Sequence, residues 1–379
     1  MKKIPLLIAC CLSAAILFSQ PIPVKSIEDS VLGWMKIYNF KGIKEPQKVD
    51  AKIYSPNQLS ICDSFANWIQ KSYTPKGGLG DVKRALSTKL GLYNQNDAAL
   101  PQSYGAYSKT YIELKYNSSH KMEPVSNSHI LWSIMANAPV GYPADIFCTP
   151  TEYYFTLPSF SEQGYDENFS RPYALTTHPN TKKYFSYFRR NSAIGNEKTI
   201  LLYKEGKFPF TKITKGEYLQ LVEKMMEREY EKEKKSIHEK EKENAKNIAY
   251  FMKYLDDKNA KRLVCLQNNK EKYKNRLQEI AEIFTFQPDI LLENYPDVFE
   301  GNGSTKKLPV YKIDPAIAEL CKKDSPQWIR VTWHGDISDV PGKYQHESII
   351  NNFNFDYVYN FFFAPERVKG QPYKPLRSP

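Results

Sequence analysis

Thr214-Lys215-Gly216-Glu217 has the form of a capping box, and it opens the stretch that most constrains what this chain can fold into. The threonine hydroxyl can accept from one free amide of a helix's first turn while the glutamate reaches back to another. Ile213 and Tyr218 hold the two positions of a hydrophobic staple. Leu221, Val222, Met225 and Met226 continue from Tyr218 at helical spacing. From Glu227 to Asn244 thirteen of eighteen residues are charged, seven acidic and six basic. Opposite charges three and four apart support a helix in water that has no apolar face to bury. The stripe resumes at Ala245, Ile248, Met252 and Leu255, and Asp256-Asp257-Lys258-Asn259 reads as a turn. Leu263, Leu266, Lys270, Tyr273, Leu277, Ile280 and Phe284 then alternate steps of three and four, a heptad seam with one polar position. The expectation is a long charged antiparallel helical hairpin over 214–288, of coiled-coil type. Its first arm, of roughly forty residues, would be about 60 Å long.

Short strands dominate the residues before it. A helix opening at Ser60 places Ile61, Phe65, Trp68 and Ile69 on one face and ends near Tyr73, with a loop over Pro75–Asp81. Tyr111–Tyr116, Ile130–Ala136, Asp145–Cys148 and Tyr153–Leu157 read as strands. Thr199–Tyr203 and Phe208–Thr211 read as a hairpin around Lys204-Glu205-Gly206-Lys207. After the hairpin region, Glu300–Lys307 has linker composition. Asp314-Pro315 starts a short helix, and Gln327–Trp333 is strand-like. In the last regular stretch Phe353, Phe355, Tyr357, Tyr359, Phe361 and Phe363 fall on one side of a strand, opposite Asn352, Asn354, Asp356, Val358 and Asn360. The fold class expected is α+β: a strand-rich mixed domain over 20–213, the helical hairpin, and a C-terminal α/β segment over 289–379 packing back on the first domain.

The first nineteen residues read as a signal peptide. Lys2 and Lys3 precede an uncharged run from Ile4 to Phe18, and Leu17 and Ser19 stand at −3 and −1 before Gln20. About fifteen residues fall short of the ~20 a spanning helix needs, so no transmembrane span is expected in the mature chain. The protein is therefore expected to be exported, periplasmic or secreted. Leu7-Ile8-Ala9-Cys10 also has the form of a lipoprotein box, but it comes early and the apolar run continues beyond it, so a lipid anchor is the lesser alternative.

Without the signal, 51 Lys+Arg stand against 42 Asp+Glu. In an exported protein that balance points to an anionic envelope polymer or another envelope protein as partner, and nucleic acid is not expected. Aromatic residues make up 14% of the chain, with 27 tyrosines. Tyrosine suits half-buried faces and contact surfaces because a polar tip sits on an apolar body. Cys62, Cys148, Cys265 and Cys321 remain after cleavage, and their pairing stays open.

Few residues make a case for chemistry. Cys62, read as lying in the first turn of a helix capped by Ser60, would sit where free amides favour a thiolate. His334 and Asp336 follow a strand, so the order Cys, His, Asp matches papain-like hydrolases in outline, although Phe65 and Ile69 put Cys62 beside an apolar face. The ligand-contact candidates are Tyr184, Tyr187, Arg189 and Arg190, in the basic-aromatic run from Lys182 to Arg190. Gly77-Gly78-Leu79-Gly80, with Lys76, Lys83 and Arg84 nearby, fits neither phosphate-loop nor dinucleotide spacing. The six histidines include no i,i+4 pair, so no metal site is expected, and no cofactor motif is present.

Tyr73-Thr74-Pro75-Lys76-Gly77-Gly78-Leu79-Gly80-Asp81, Leu100-Pro101-Gln102-Ser103-Tyr104-Gly105 and Lys215-Gly216-Glu217-Tyr218-Leu219 resemble uncharacterised exported proteins of Bacteroidota. The resemblance spans roughly half the chain, carries no catalytic residue and implies nothing about activity. The expected function is that of an exported, non-enzymatic binding protein of the envelope or extracellular space. The alternative is a hydrolase, thiol- or carboxylate-based, whose site is assembled from scattered residues.

Overall fold

A computed structural model of the chain describes residues 24–26, 33–36, 38, 45–49, 52–87, 101–140, 146–148, 153–157, 175–189, 197–241, 244–283, 297–300, 307–334 and 340–378. The signal segment, Asp336, Arg190, Phe284 and the linker residues 301–306 lie outside them. The described elements open with β1 (Val24–Ser26), β2 (Trp34–Lys36), the pair β3 (Gln47–Val49) and β4 (Lys52–Tyr54), and helix α1 (Pro56–Ser72). β5 (Leu79–Ser87), β6 (Ser103–Tyr111), β7 (Glu113–Tyr116), β8 (Met122–Pro124) and β9 (His129–Ala136) follow. Next come β10 (Ile146–Cys148), β11 (Tyr153–Thr156), β12 (Phe185–Arg189), β13 (Glu197–Tyr203) and β14 (Phe210–Lys212), then the long helices α2 (Lys215–Lys240) and α3 (Ala245–Lys272). The remainder is β15 (Glu282–Ile283), β16 (Leu308–Ile313), α4 (Pro315–Leu320), β17 (Trp328–Trp333), α5 (Val340–Asn352) and α6 (Phe355–Phe363).

The α+β class expected from the sequence is what the chain adopts. Seven strands make the main sheet in the order β12-β13-β17-β9-β6-β5-β2, and a second sheet runs β10-β11-β16-β14 with β15 on β16. Side chains alternate across each sheet, and that alternation sorts the molecule into layers. Ala106, Ile134, Val331 and Ile200 are register partners across four strands of the main sheet. With Tyr104 and Trp132 they form one core with Phe65, Trp68 and Ile69 of α1, Ile349 of α5, and Phe355 and Val358 of α6. On the other face Tyr187, Leu201 and Trp328 pack on Tyr153, Phe155 and Phe210 of the second sheet. The reverse of that sheet, with Tyr154 and Val310, meets Tyr218, Leu221, Val222 and Met225 of α2. The order of layers is helices, sheet, sheet, helices.

The capping box at Thr214 forms as read: the Thr214 hydroxyl accepts from the Glu217 amide at 3.2 Å, and the Glu217 carboxylate accepts from the Thr214 amide at 2.9 Å. Asp314 caps α4 through the amides of Ala316 and Ile317. Five expectations are corrected. The helix read from Ser60 starts at Pro56, because Ser55 and Gln58 form a capping box of their own. The loop read over Pro75–Asp81 ends at Gly78, since Leu79–Asp81 pair with Tyr111–Lys109 inside β5. Gly77, at φ 66°, is where the chain turns.

Thr199–Tyr203 and Phe208–Thr211 do not pair with each other. β13 bonds to β12 and β17 in the main sheet and β14 to β16 in the second, so Lys204–Lys207 carries the chain between sheets. The long hairpin turns earlier than expected: α2 ends at Lys240 and α3 starts at Ala245, where Asn244 caps it through the Asn247 amide. A stretch without an apolar face loses nothing by reversing there. Asp256–Asn259 stays helical, and Asp256 and Lys258 reach across to Tyr230 and Glu233 of α2. The first arm therefore has 26 residues, about 39 Å. The buried residues of α3 are Leu255, Arg262, Leu266 and Asn269, so the heptad reading placed Leu266 correctly but not Leu263, which is 48% exposed. Beyond Lys272 the seam is no longer helical: the Leu277 carbonyl accepts from the Gly216 amide, and Ile280 bridges to Thr214.

The fifth correction concerns the aromatic run at the C-terminus, which is helix rather than strand. Asn354 accepts from the Tyr357 amide at 2.9 Å and caps α6. Rings at six of the nine positions of α6 let either period fit, and the helix serves three surroundings at once. Phe355, Val358 and Phe362 face the core around Phe65. Tyr357 and Phe361 pack on Trp68. Asp356, Tyr359 and Asn360 face outward together.

Candidate functional site

Cys62 and His334 are not brought together, and Asp336 lies outside the described residues. Cys62 lies in the second turn of α1, past the free amides, and is fully buried. Burial pushes its thiol up to about 12, outweighing the opposing pull of Arg84. It packs into the core on the helix-covered face of the main sheet. His334 continues β17 through its amide bond to the Leu131 carbonyl, and by strand alternation it belongs to the opposite face. Its Nε2 stands 3.8 Å from Glu197 Oε2, and burial holds its pKa below the usual histidine value. A whole sheet separates the thiol from the imidazole.

Of the cations near Gly77–Gly80, Lys83 and Arg84 are held in ion pairs. Lys83 pairs with Asp81 at 2.8 Å, and Arg84 with Asp63 at 2.6 Å. Among the described residues the thiols of Cys62, Cys265 and Cys321 are free, and no group of three or more His, Cys, Asp or Glu is placed to hold a metal ion. No described helix is long and apolar enough to cross a membrane.

The basic-aromatic run has a different outcome. Tyr187 is buried between the two sheets and unavailable to a ligand. Arg189 pairs through its backbone with Glu197 in β12, and its side chain lies outside the described residues, as Arg190 does. Tyr184 stands at the mouth of a pocket. Three elements meet there: the start of the edge strand β12, the outward face of α6, and the turn that carries the chain between sheets. The pocket encloses about 370 Å³, toward the small end of ligand sites, which run ~300–1,000 Å³.

Its walls are rings. Tyr184 and Tyr359 stand 6.0 Å apart and tilted by 39°, and Phe185 and Tyr203 complete the apolar lining. Asp356, in the first turn of α6, gathers the polar wall: its Oδ1 accepts from Lys183 at 2.7 Å and from the Tyr184 hydroxyl at 2.5 Å. Burial and the Asp356 carboxylate both raise the Tyr184 pKa, so the phenol remains a donor at any ordinary pH. The Glu205 amide donates to the Tyr359 hydroxyl at 3.2 Å and ties the turn to the helix. Gly206 sits in that turn at φ 70°, a conformation in which a side chain is strained.

Three polar groups of the pocket are unengaged among the described residues. Asn360 Oδ1 is shut off from bulk solvent with no hydrogen-bond donor. The Glu205 carboxylate and the Arg367 guanidinium line the pocket without an ion pair. Two cations, Lys183 and Arg367, face two carboxylates, Glu205 and Asp356, so the site is electrically balanced in a chain of net charge +11. Reading the sequence singled out Tyr184 and missed the rest. Asp356, Tyr359 and Asn360 share a face only at helical spacing, which the strand reading concealed, and nothing in the sequence around Arg367 marks it. No protein-family model, curated protein or solved structure matches the chain.

Proposed function

We propose that the protein is an exported, non-enzymatic binding protein of the cell envelope or extracellular space that takes its ligand in the tyrosine-walled pocket. The observation that carries this reading is the contrast between the two candidate sites. The one thiol with a case for catalysis is sealed in a core, whereas the ring-lined pocket is open and holds unengaged donors and acceptors. Rings that supply contact area, with a few convergent polar groups that set orientation, are the composition of a small-molecule site. A hydrolase would have to draw on Glu205 and Asp356. The Asp356 Oδ1 is already held by Lys183 and the Tyr184 hydroxyl rather than presented to a substrate. Export rests on Lys2, Lys3 and the apolar run to Phe18, and the native protein should begin at or near Gln20 by N-terminal sequencing.

The binding reading is tested by labelling the mature protein with 3-fluorotyrosine and adding low-molecular-weight extract from envelope digests of its host. The resonances of Tyr184, Tyr203 and Tyr359 should shift while no extract component is consumed. Unmoved pocket resonances would overturn the reading, and multiple turnover of a component would replace it with the hydrolase.

A further inference from the structure

We infer that the ligand of this pocket is a neutral saccharide of one or two rings. The inference rests on the binding reading above and adds the chemical class of what is bound. Size comes first: about 370 Å³, toward the small end of ligand sites, seats one or two sugar-sized rings. Charge comes second. The chain as a whole would draw anions, but Lys183 and Arg367 are balanced by Glu205 and Asp356 within the pocket. A carboxylate or phosphate ligand would meet two like charges, and an ammonium ligand would meet two cations. Lys183 also already lies over the Tyr184 ring, 5.3 Å from its centre, in the position a cationic guest would take.

Hydrogen-bonding capacity comes third. The exposed unengaged acceptor is the Glu205 carboxylate. The Arg367 guanidinium is the unengaged donor. An unengaged carboxylate beside an unengaged guanidinium suits a ligand with several O–H groups, which donate and also accept. Finally, the rings of Tyr359, Phe185 and Tyr203 in the lining offer flat apolar area beside those polar groups. A ligand that is apolar on one flat face and hydroxylated around its edge matches both surfaces, and a pyranose ring is such a molecule.

The test uses the mature full chain, saturation-transfer NMR and titration calorimetry. The neutral probes are glucose, galactose, N-acetylglucosamine, cellobiose and chitobiose, with glucuronate and choline as charged comparisons. At least one neutral sugar should receive saturation at its ring C–H protons. Its affinity should fall at least tenfold in Tyr359→Ala, which removes a wall, and stay within threefold in Tyr359→Phe, which keeps the ring. Tyr359 also packs on Phe363, so Arg367→Met, at an exposed position, provides a second variant, expected to weaken binding severalfold without changing the fold. Tighter binding of glucuronate or choline than of any neutral sugar overturns the saccharide class and leaves the binding reading standing. Silence from every sugar while the fluorotyrosine signals respond to extract does the same. Sugar binding that survives both Tyr359→Ala and Arg367→Met places the saccharide elsewhere and overturns the inference.

Discussion

At the scale of single residues, burial decides what each group can do. Cys62 has no solvent exposure, and its thiol is pushed up to about 12 by desolvation. A maleimide probe should label it slowly in the folded protein and rapidly after denaturation, and removal of the His334 imidazole should leave the slow rate unchanged. Fast labelling that depends on His334 would return Cys62 to the list of nucleophiles. His346 of α5 is a second buried group with a measurable consequence. Its Nδ1 accepts from the Trp333 indole at 3.1 Å, and burial, with Lys198 and His178 adding to it, lowers its pKa to about 3. Between the unfolded value near ~6.5 and that folded value, the unfolded chain takes up a proton that the native chain resists. Stability contributed by the neutral imidazole is therefore present above ~6.5 and lost as pH falls, at up to about 1.4 kcal/mol per pH unit. Urea midpoints measured from pH 6.5 to 5, where ordinary carboxylates stay ionised, should fall less steeply in His346→Gln than in the parent. Parallel curves would show that His346 carries no such linkage.

At the scale of elements, local chemistry was legible at the Thr214 and Asp314 caps, was missed at Ser55, where Ser60 offered a competing cap, and was illegible where two periods compete. The Thr214 and Asp314 caps are written in adjacent residues, and both helices start where those residues say. The charged stretch from Glu227 was equally plain as a solvated helix, but its turn was not, because any point along a helix without an apolar face can reverse at similar cost. The reversal comes after α2 ends at Lys240, and cross-helix pairs such as Lys258 with Glu233 then fix the register. In α6 rings occupy so many positions that alternation and helical spacing both fit. The choice is made by Asn354 as cap and by Trp68 and Phe65, which lie some 290 residues away in sequence and cannot be seen from the run itself. The same misreading hid the pocket, since Asp356, Tyr359 and Asn360 converge only on a helix. One consequence is a sharp asymmetry within the helical pair. Leu266 is buried against the α2 core, so Leu266→Asp should cost several kcal/mol by placing an unpaired charge there. Lys234, solvated on α2, should change stability by less than about 0.5 kcal/mol as Lys234→Ala. Chemical denaturation of the two variants gives the comparison, and equal tolerance would contradict the packing described.

At the scale of the whole molecule, the order of strands in space departs furthest from their order in the chain. β17 stands between β13 and β9 and bonds to both along five or more residues. It comes from the segment that the sequence set apart after the helical hairpin. β16 from the same segment is the strand on which β11, β14 and β15 all pair. Neither insertion is visible in Gln327–Trp333 or Leu308–Ile313 alone, because a strand's sequence records which faces are buried and not which neighbours it has. Residues 20–213 therefore do not contain a complete sheet. Without β17 they would expose the paired backbone edges of β9 and β13 and uncover Trp132, Ile134 and Ile200, whose burial depends on Val331, Trp333 and the helices that follow. Expressed alone, residues 20–213 should show no cooperative thermal transition and should bind a hydrophobic dye, while residues 20–379 unfold in a sharp transition with Trp132 shielded. The same comparison bears on the pocket, because β12 and β13 supply one wall and α6 the other. A fragment that unfolded cooperatively without its C-terminal strands would mean that the first sheet closes by itself, and the pocket's position at its edge would then have to be explained by docking rather than by shared folding.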